Sequence, residues 1–140
     1  MMITYDQYMR GRDTAYPQYM TPQIKANALI TIQKANALIE AALKDGVDFE
    51  INPVTGSVVS SGWRPPQINA TTPGAKSKSL HLTGEAIDIY DPDGDLDDWC
   101  MANINFLRQL GLSMEHPSAT KGWCHVQTRP PKSGRVCFYP

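Results

Sequence analysis

The chain has 140 residues, of which 41% are hydrophobic and 19% charged, and its net charge is −1. That length suits one domain around a single core, and the apolar fraction is that of a folded chain and not of a disordered one. The near-neutral balance excludes broad binding to nucleic acid or anionic membrane, and no apolar run approaches the ~20 residues of a membrane helix.

Residues 1–20, MMITYDQYMRGRDTAYPQYM, mix Tyr, Met and polar residues without a sustained period. They are expected to form an arm lying over a single domain at 21–140. They contain no continuous apolar h-region, so an export signal is not expected, and the protein is expected to be made and kept in a cytoplasm unless another factor releases it. Thr21-Pro22 then offers an N-cap followed by proline at the first helical position. From there Ile24, Leu29, Ile32, Leu38, Ile39, Ala42 and Leu43 recur as one apolar stripe, and Gly46 supplies the stop. KANALI occurs at 25–30 and again at 34–39, a period that fits no solenoid and is read as coincidence within a helix.

Past the helix the pattern changes to short strands. Phe49-Glu50-Ile51 and Ser57–Trp63 are predicted strands around the turn Asn52–Gly56. Residues 65–78, PPQINATTPGAKSK, read as a loop, and a loop that long in a compact domain is often functional. Glu85–Tyr90 is a predicted strand, and a helix is expected over about Leu96–Leu110, ended by Gly111. Between them DPDGDLDD lacks the glycine and glutamate of a calcium loop and reads as an acidic turn capping that helix. Leu112–Glu115 and Gly122–Thr128 are strand candidates, with GRVCFYP as a last edge strand. Helices and strands are interspersed without strict βαβ alternation, so the expected fold is α+β, a small mostly antiparallel sheet with helices packed on one face. Cys100, Cys124 and Cys137 are odd in number and form no CxxC pair, which points to buried thiols and not to a disulfide framework.

Strand alternation shows where chemistry gathers. Ile87 and Ile89 share one face, leaving Asp88 on the other. Leu112 and Met114 leave Ser113 and Glu115, while Cys124 and Val126 leave Trp123, His125 and Gln127. If these strands are neighbours, Asp88, Glu115 and His125 converge on one face. An ionised carboxylate inside a buried strand is costly unless a cation holds it. His81 lies seven residues before Asp88, and Gly84 lets the chain bend so that His81 reaches back. Two imidazoles and a carboxylate are a normal catalytic zinc set, with a fourth position left for water. Glu115 is the natural base for that water, and His116 is the second candidate.

SLHLTGEAID at 79–88 matches SxHxxGxAxD, Ser61-Gly62-Trp63-Arg64-Pro65 matches SG(Y/W)R, and Trp123-Cys124-His125-Val126-Gln127 matches WxHxQ. In order and approximate spacing these segments resemble the zinc D-alanyl-D-alanine carboxypeptidases, a family that includes phage L-alanyl–D-glutamate endolysins and shares its fold with the hedgehog signalling domain. The resemblance implies Zn2+ held by His81, Asp88 and His125. It implies that Arg64, with Ser79, binds a substrate carboxylate or carbonyl. It also implies hydrolysis of peptidoglycan stem peptides, as a D,D-carboxypeptidase or an endopeptidase, by a phage or prophage product acting on the cell wall; a monomer with no nucleic-acid partner and no membrane insertion is expected. Members often carry the glutamate as ExWH, whereas Glu115 precedes His125 by ten residues. A catalytically silent zinc-containing wall-binding or structural module of the same fold is the alternative. Trp63 and Trp123 are expected to wall the cleft by packing, Gln127 either to bond a ligating histidine or to be solvated, and Cys124 to face the core.

Overall fold

The Thr21-Pro22 signal opens the longest helix of the molecule, which the computed structural model shows within the described residues 2–140. Thr21 Oγ1 accepts the Ile24 amide at 3.1 Å, and the helix closes where Gly46, at φ 90°, turns the chain. Two short helices precede it, α1 (Tyr5–Met9) and α2 (Arg12–Ala15), so the long helix is α3 (Pro22–Lys44). Its buried face is Ala28, Thr31, Ile32, Ala35, Leu38, Ile39 and Ala42. Leu29 and Leu43, placed on the stripe by their spacing, are 49% and 38% exposed instead. Ala28 takes an inner position because the backbone of the turn ending at Gly84 runs close: a Cβ on Gly84 would stand 2.8 Å from the Ile24 carbonyl oxygen and 3.4 Å from the Ala28 Cβ.

Residues 1–20 do more than lie over the domain. The α1 helix carries a capping box between Thr4 and Gln7 and drives Tyr8 and Met9 fully into the core. Tyr8 donates its hydroxyl to the Ala86 carbonyl at 2.8 Å, and the Asn36 amide exchanges two hydrogen bonds with the Ile3 backbone. Both satisfy buried polar groups that would otherwise be unpaired.

The sheet has five strands, β1 (Val59–Ser61), β2 (Ala86–Asp91), β3 (Ser113–Glu115), β4 (Gly122–Gln127) and β5 (Cys137–Phe138), in the order β1-β2-β4-β3-β5. Every pairing is antiparallel except β3 with β5, so the expected α+β fold is observed with one parallel edge. Ile87, Ile89, Met114, Cys124 and Val126 join Leu38, Ile39 and Leu107 in one core. Cys100 and Cys124 are buried free thiols in it, as small apolar residues are.

Three expectations change. Phe49–Ile51 is not a strand: Ile51 is exposed, and the Asn52 amide is bonded within its own turn, to the Ser57 carbonyl at 2.8 Å. The 65–78 loop begins with a helix, α4 (Pro66–Thr71), because Pro66 is preset for a first turn. The helix expected over 96–110 is two, α5 (Asp95–Ala102) and α6 (Ile104–Leu110). They break at Asn103, at φ −127°, whose side chain donates to the Trp99 carbonyl at 2.8 Å and so competes with the helical ladder. The acidic turn does cap α5: the Asp91 carboxylate accepts the Leu96 and Asp97 amides at 3.0 and 2.9 Å.

Gly62 shows how tightly the first segment seats. A Cβ there would lie 2.7 Å from the Tyr8 ring and closer still to the Tyr8 carbonyl oxygen. Gly62→Ala is therefore expected to lower stability by about 1–3 kcal/mol through overpacking, read as a lower urea midpoint at unchanged slope.

Candidate metal centre

Antiparallel pairing of β2 with β4 sets Asp88 opposite His125. Pairing of β3 with β4 sets Met114 opposite Val126, and the next step of that register brings Glu115 to His125, with Glu115 Oε2 3.8 Å from His125 Nε2. The three strands the alternation singled out are thus adjacent. His81 arrives from a 3-10 turn, Leu80–Thr83, which Ser79 caps by accepting the His81 amide and Gly84 ends at φ 77°. That left-handed turn reverses the chain so that the imidazole returns over β2.

The three side chains meet. One ligand atom from each of His81, Asp88 and His125 lies within 4.8 Å of the others, and the two imidazoles stand edge to face at 5.4 Å. His81 Nδ1 lies 2.8 Å from the Gly62 carbonyl oxygen and must donate its proton there, which leaves the Nε2 lone pair 3.3 Å from Asp88 Oδ2. His125 Nε2 lies 2.8 Å from Gln127 Oε1, and its Nδ1 lies 2.9 Å from Asp88 Oδ1. Gln127 is turned with its oxygen towards the ring because its amide nitrogen donates to the Arg129 carbonyl at 2.7 Å.

Both remote nitrogens are therefore committed as donors to neutral acceptors, and two lone pairs face the same carboxylate. Electron pairs aimed at an anion repel unless a proton or a metal ion lies between them. The donor set fits a divalent ion of zinc type: imidazole nitrogen and carboxylate oxygen, each histidine oriented by a second hydrogen bond. Without an ion, protons take that place. Burial alone would push the His125 pKa down, but the hydrogen bond and charge of Asp88, with Glu115 and Gln127, raise it. Burial would likewise raise the Asp88 pKa, yet His81 and His125 outweigh it and hold the carboxyl far below its ordinary range.

The centre forms the floor of a cleft of about 400 Å³ that Arg64, Ser79, Glu115 and Trp123 also line. Arg64 is 8% exposed; its amide donates to the His81 carbonyl at 3.0 Å and a guanidinium nitrogen to Ser79 Oγ at 3.2 Å. Its Nε is buried without a partner among the described residues, a donor in want of an acceptor. His116 does not join them. Its ring stacks on Tyr139 at 4.5 Å and its Nδ1 bonds Ser118, so the two candidate bases are separated and only Glu115 lines the cleft. Trp63, expected to wall the cleft, is instead fully buried and donates to the Leu82 carbonyl at 2.9 Å. Lys76, Lys78 and Phe138 line the cleft without having been singled out from the sequence. The lysines lie in the segment flagged for its length, whereas Phe138 sits on a two-residue strand with no periodicity to reveal it.

A family model described as Peptidase M15 matches residues 22–127. No curated protein and no solved structure matches the chain.

The Asp88–His125 pair fixes a pH signature for the metal-stripped chain. His125, raised from its ordinary 6.5, contributes stability below that pH and loses it as pH rises through its higher folded value. Asp88, depressed from 3.8, contributes above that pH and loses it as pH falls towards its lower folded value. The urea midpoint of the metal-free wild type, taken relative to Asp88→Asn, is expected to be highest between the ordinary values of 3.8 and 6.5 and to fall on either side.

Proposed function

The chain belongs to the M15 family of peptidases, and from that premise we propose that it is a zinc metallopeptidase hydrolysing peptide bonds in peptidoglycan stem peptides. The observation that carries the reading is the convergence of two imidazole lone pairs and a carboxylate on the floor of a cleft whose wall holds a free carboxylate, Glu115. His81 Nε2, Asp88 and His125 Nδ1 would hold the ion. When bound, zinc supplies Lewis acidity, polarising a carbonyl and making water acidic enough to attack near neutrality.

The remaining work belongs to the chain. Glu115 is 21% exposed on the cleft, placed by the β3–β4 register beside the last ligand. There it accepts the proton of the attacking water and returns it to the leaving amine. Arg64 lines the cleft and offers its guanidinium to a substrate carboxylate or to the carbonyl oxygen on which negative charge develops, and Ser79 holds that guanidinium in place. His116, stacked away from the cleft, takes no part in this scheme. Among the described residues no helix is long and apolar enough to cross a membrane. The proposed place of action is the cell wall.

Chelation should abolish muropeptide cleavage and zinc should restore it, with mass spectrometry of the digest naming the bond. A zinc-loaded protein that cuts no muropeptide would instead be the silent module. Glu115→Gln is expected to lose about 10²–10⁴-fold in kcat while retaining zinc, and His116→Asn to keep wild-type turnover; the reverse pattern would move the base to His116. Arg64→Ala is expected to raise KM for stem peptides, and an unchanged KM would remove Arg64 from substrate binding.

A further inference from the structure

Gln127 takes no part in the proposed hydrolytic steps, yet it is 7% exposed and bonded on both ends of its amide. We infer that Gln127 is a positioning residue that selects Nδ1 of His125 as the nitrogen offered to the metal, an inference that rests on the zinc site proposed above. A neutral imidazole carries one proton, and either nitrogen can hold it. With the proton on Nδ1, the ring would donate to Asp88 and turn its lone pair towards Gln127, leaving the centre one ligand short. The Gln127 oxygen, 2.8 Å from Nε2, forbids that arrangement because two acceptors would face each other.

The selection works only if the amide cannot flip, and the structure fixes it. Its nitrogen donates to the Arg129 carbonyl at 2.7 Å, so a flip would set oxygen against oxygen there and nitrogen donor against nitrogen donor at the ring. Arg129 is itself anchored, its guanidinium forking onto Glu85 at 3.0 and 2.9 Å, while the Thr128 amide donates to the Glu85 carbonyl at 2.9 Å. Glu85 follows directly on the turn that carries His81, and Thr83 donates to its carboxylate at 2.7 Å. The segment of the first ligand thus braces the orientation of the last.

Gln127 also leaves Glu115 free. Both carboxylate and amide oxygens lie on the Nε2 side of His125, at 3.8 and 2.8 Å, and the nearer amide takes the N–H. The Glu115 oxygens then remain available to water in the cleft. An uncharged acceptor suits this place, since a second carboxylate would repel Glu115.

Gln127→Leu removes the acceptor at similar volume, and Gln127→Glu keeps it while losing the donor to the Arg129 carbonyl, so it recovers the wild-type property only in part. Zinc affinity, by competition with a chromophoric chelator, is expected to fall about 10–100-fold in Gln127→Leu and to return towards wild type in Gln127→Glu. Imidazole 15N spectra of the zinc-loaded wild type should show His81 protonated at Nδ1 and His125 at Nε2. A Gln127→Leu protein that binds zinc within twofold of wild type overturns the inference alone, as does a wild-type spectrum with the His125 proton on Nδ1. Should Gln127→Leu fail to fold, the wild-type spectrum and the Gln127→Glu affinity decide. A wild type that takes up no zinc overturns the peptidase reading and this inference with it.

Discussion

Everything at the cleft floor follows from one electrostatic demand. Asp88 sits at the middle of a central strand, with the lone pairs of two imidazoles turned towards it and the far nitrogens of both rings already donating to neutral oxygens. Such a cluster is stable only around positive charge. In the bare chain protons supply it, which is why His125 is pushed up and Asp88 far down. A divalent ion satisfies the same demand with no proton trapped, and frees the two rings to stay neutral. The largely buried carboxylate is thus a weak source of stability on its own account and a strong specification of what must lie beside it.

The rest of the fold reads as support for that geometry. Gly62 provides the carbonyl that orients His81, and it also has to pass under Tyr8, so the α1 segment is built into the wall behind that imidazole. Arg12 donates to the Trp63 carbonyl at 3.0 Å, tying the same N-terminal segment to the backbone just before Arg64. Burial lowers the Arg12 pKa to about 10, which still leaves the guanidinium charged near neutrality. Gly84 reverses the chain and admits α3 at close range. Gly62 touches His81 directly through its carbonyl, so substitutions at these two positions are not expected to be energetically independent.

Much of this was legible in the residues because period-2 alternation is a strong signal when one face must be apolar. Ile87 with Ile89, and Cys124 with Val126, sort Asp88 and His125 onto the opposite face without knowledge of the neighbours. Capping chemistry did the same for α3 at Thr21 and for α5 at Asp91. What stayed hidden depends on tertiary packing. Tyr8 and Met9 lie in a stretch too short for a period, yet they are fully buried, since burial there is decided by what packs on top. Spacing alone puts Leu29 inward, yet it is 49% exposed, and the Gly84 turn instead packs closely on its neighbour Ala28. Asn103 broke a helix that periodicity would have continued, because its amide prefers the Trp99 carbonyl.

The placement of Glu115 shows why distance along the chain is a poor guide to which side chains meet in space. Ten residues separate it from His125, where a tighter ExWH spacing would put the carboxylate within one turn of chain. In an antiparallel pair the partner of a residue is set by register and not by the length of the connection. β3 and β4 pair Ser113 with Gln127 and Met114 with Val126, so position 115 meets position 125 whatever the connecting segment does. The connection here holds a 3-10 turn at Pro117–Ala119, and His116 leaves the sheet to stack on Tyr139 as that turn begins. A longer hairpin therefore moves the glutamate in sequence while holding it in space. His116, next along the chain, is sent the other way by strand alternation and stacks on Tyr139, so it does not line the cleft.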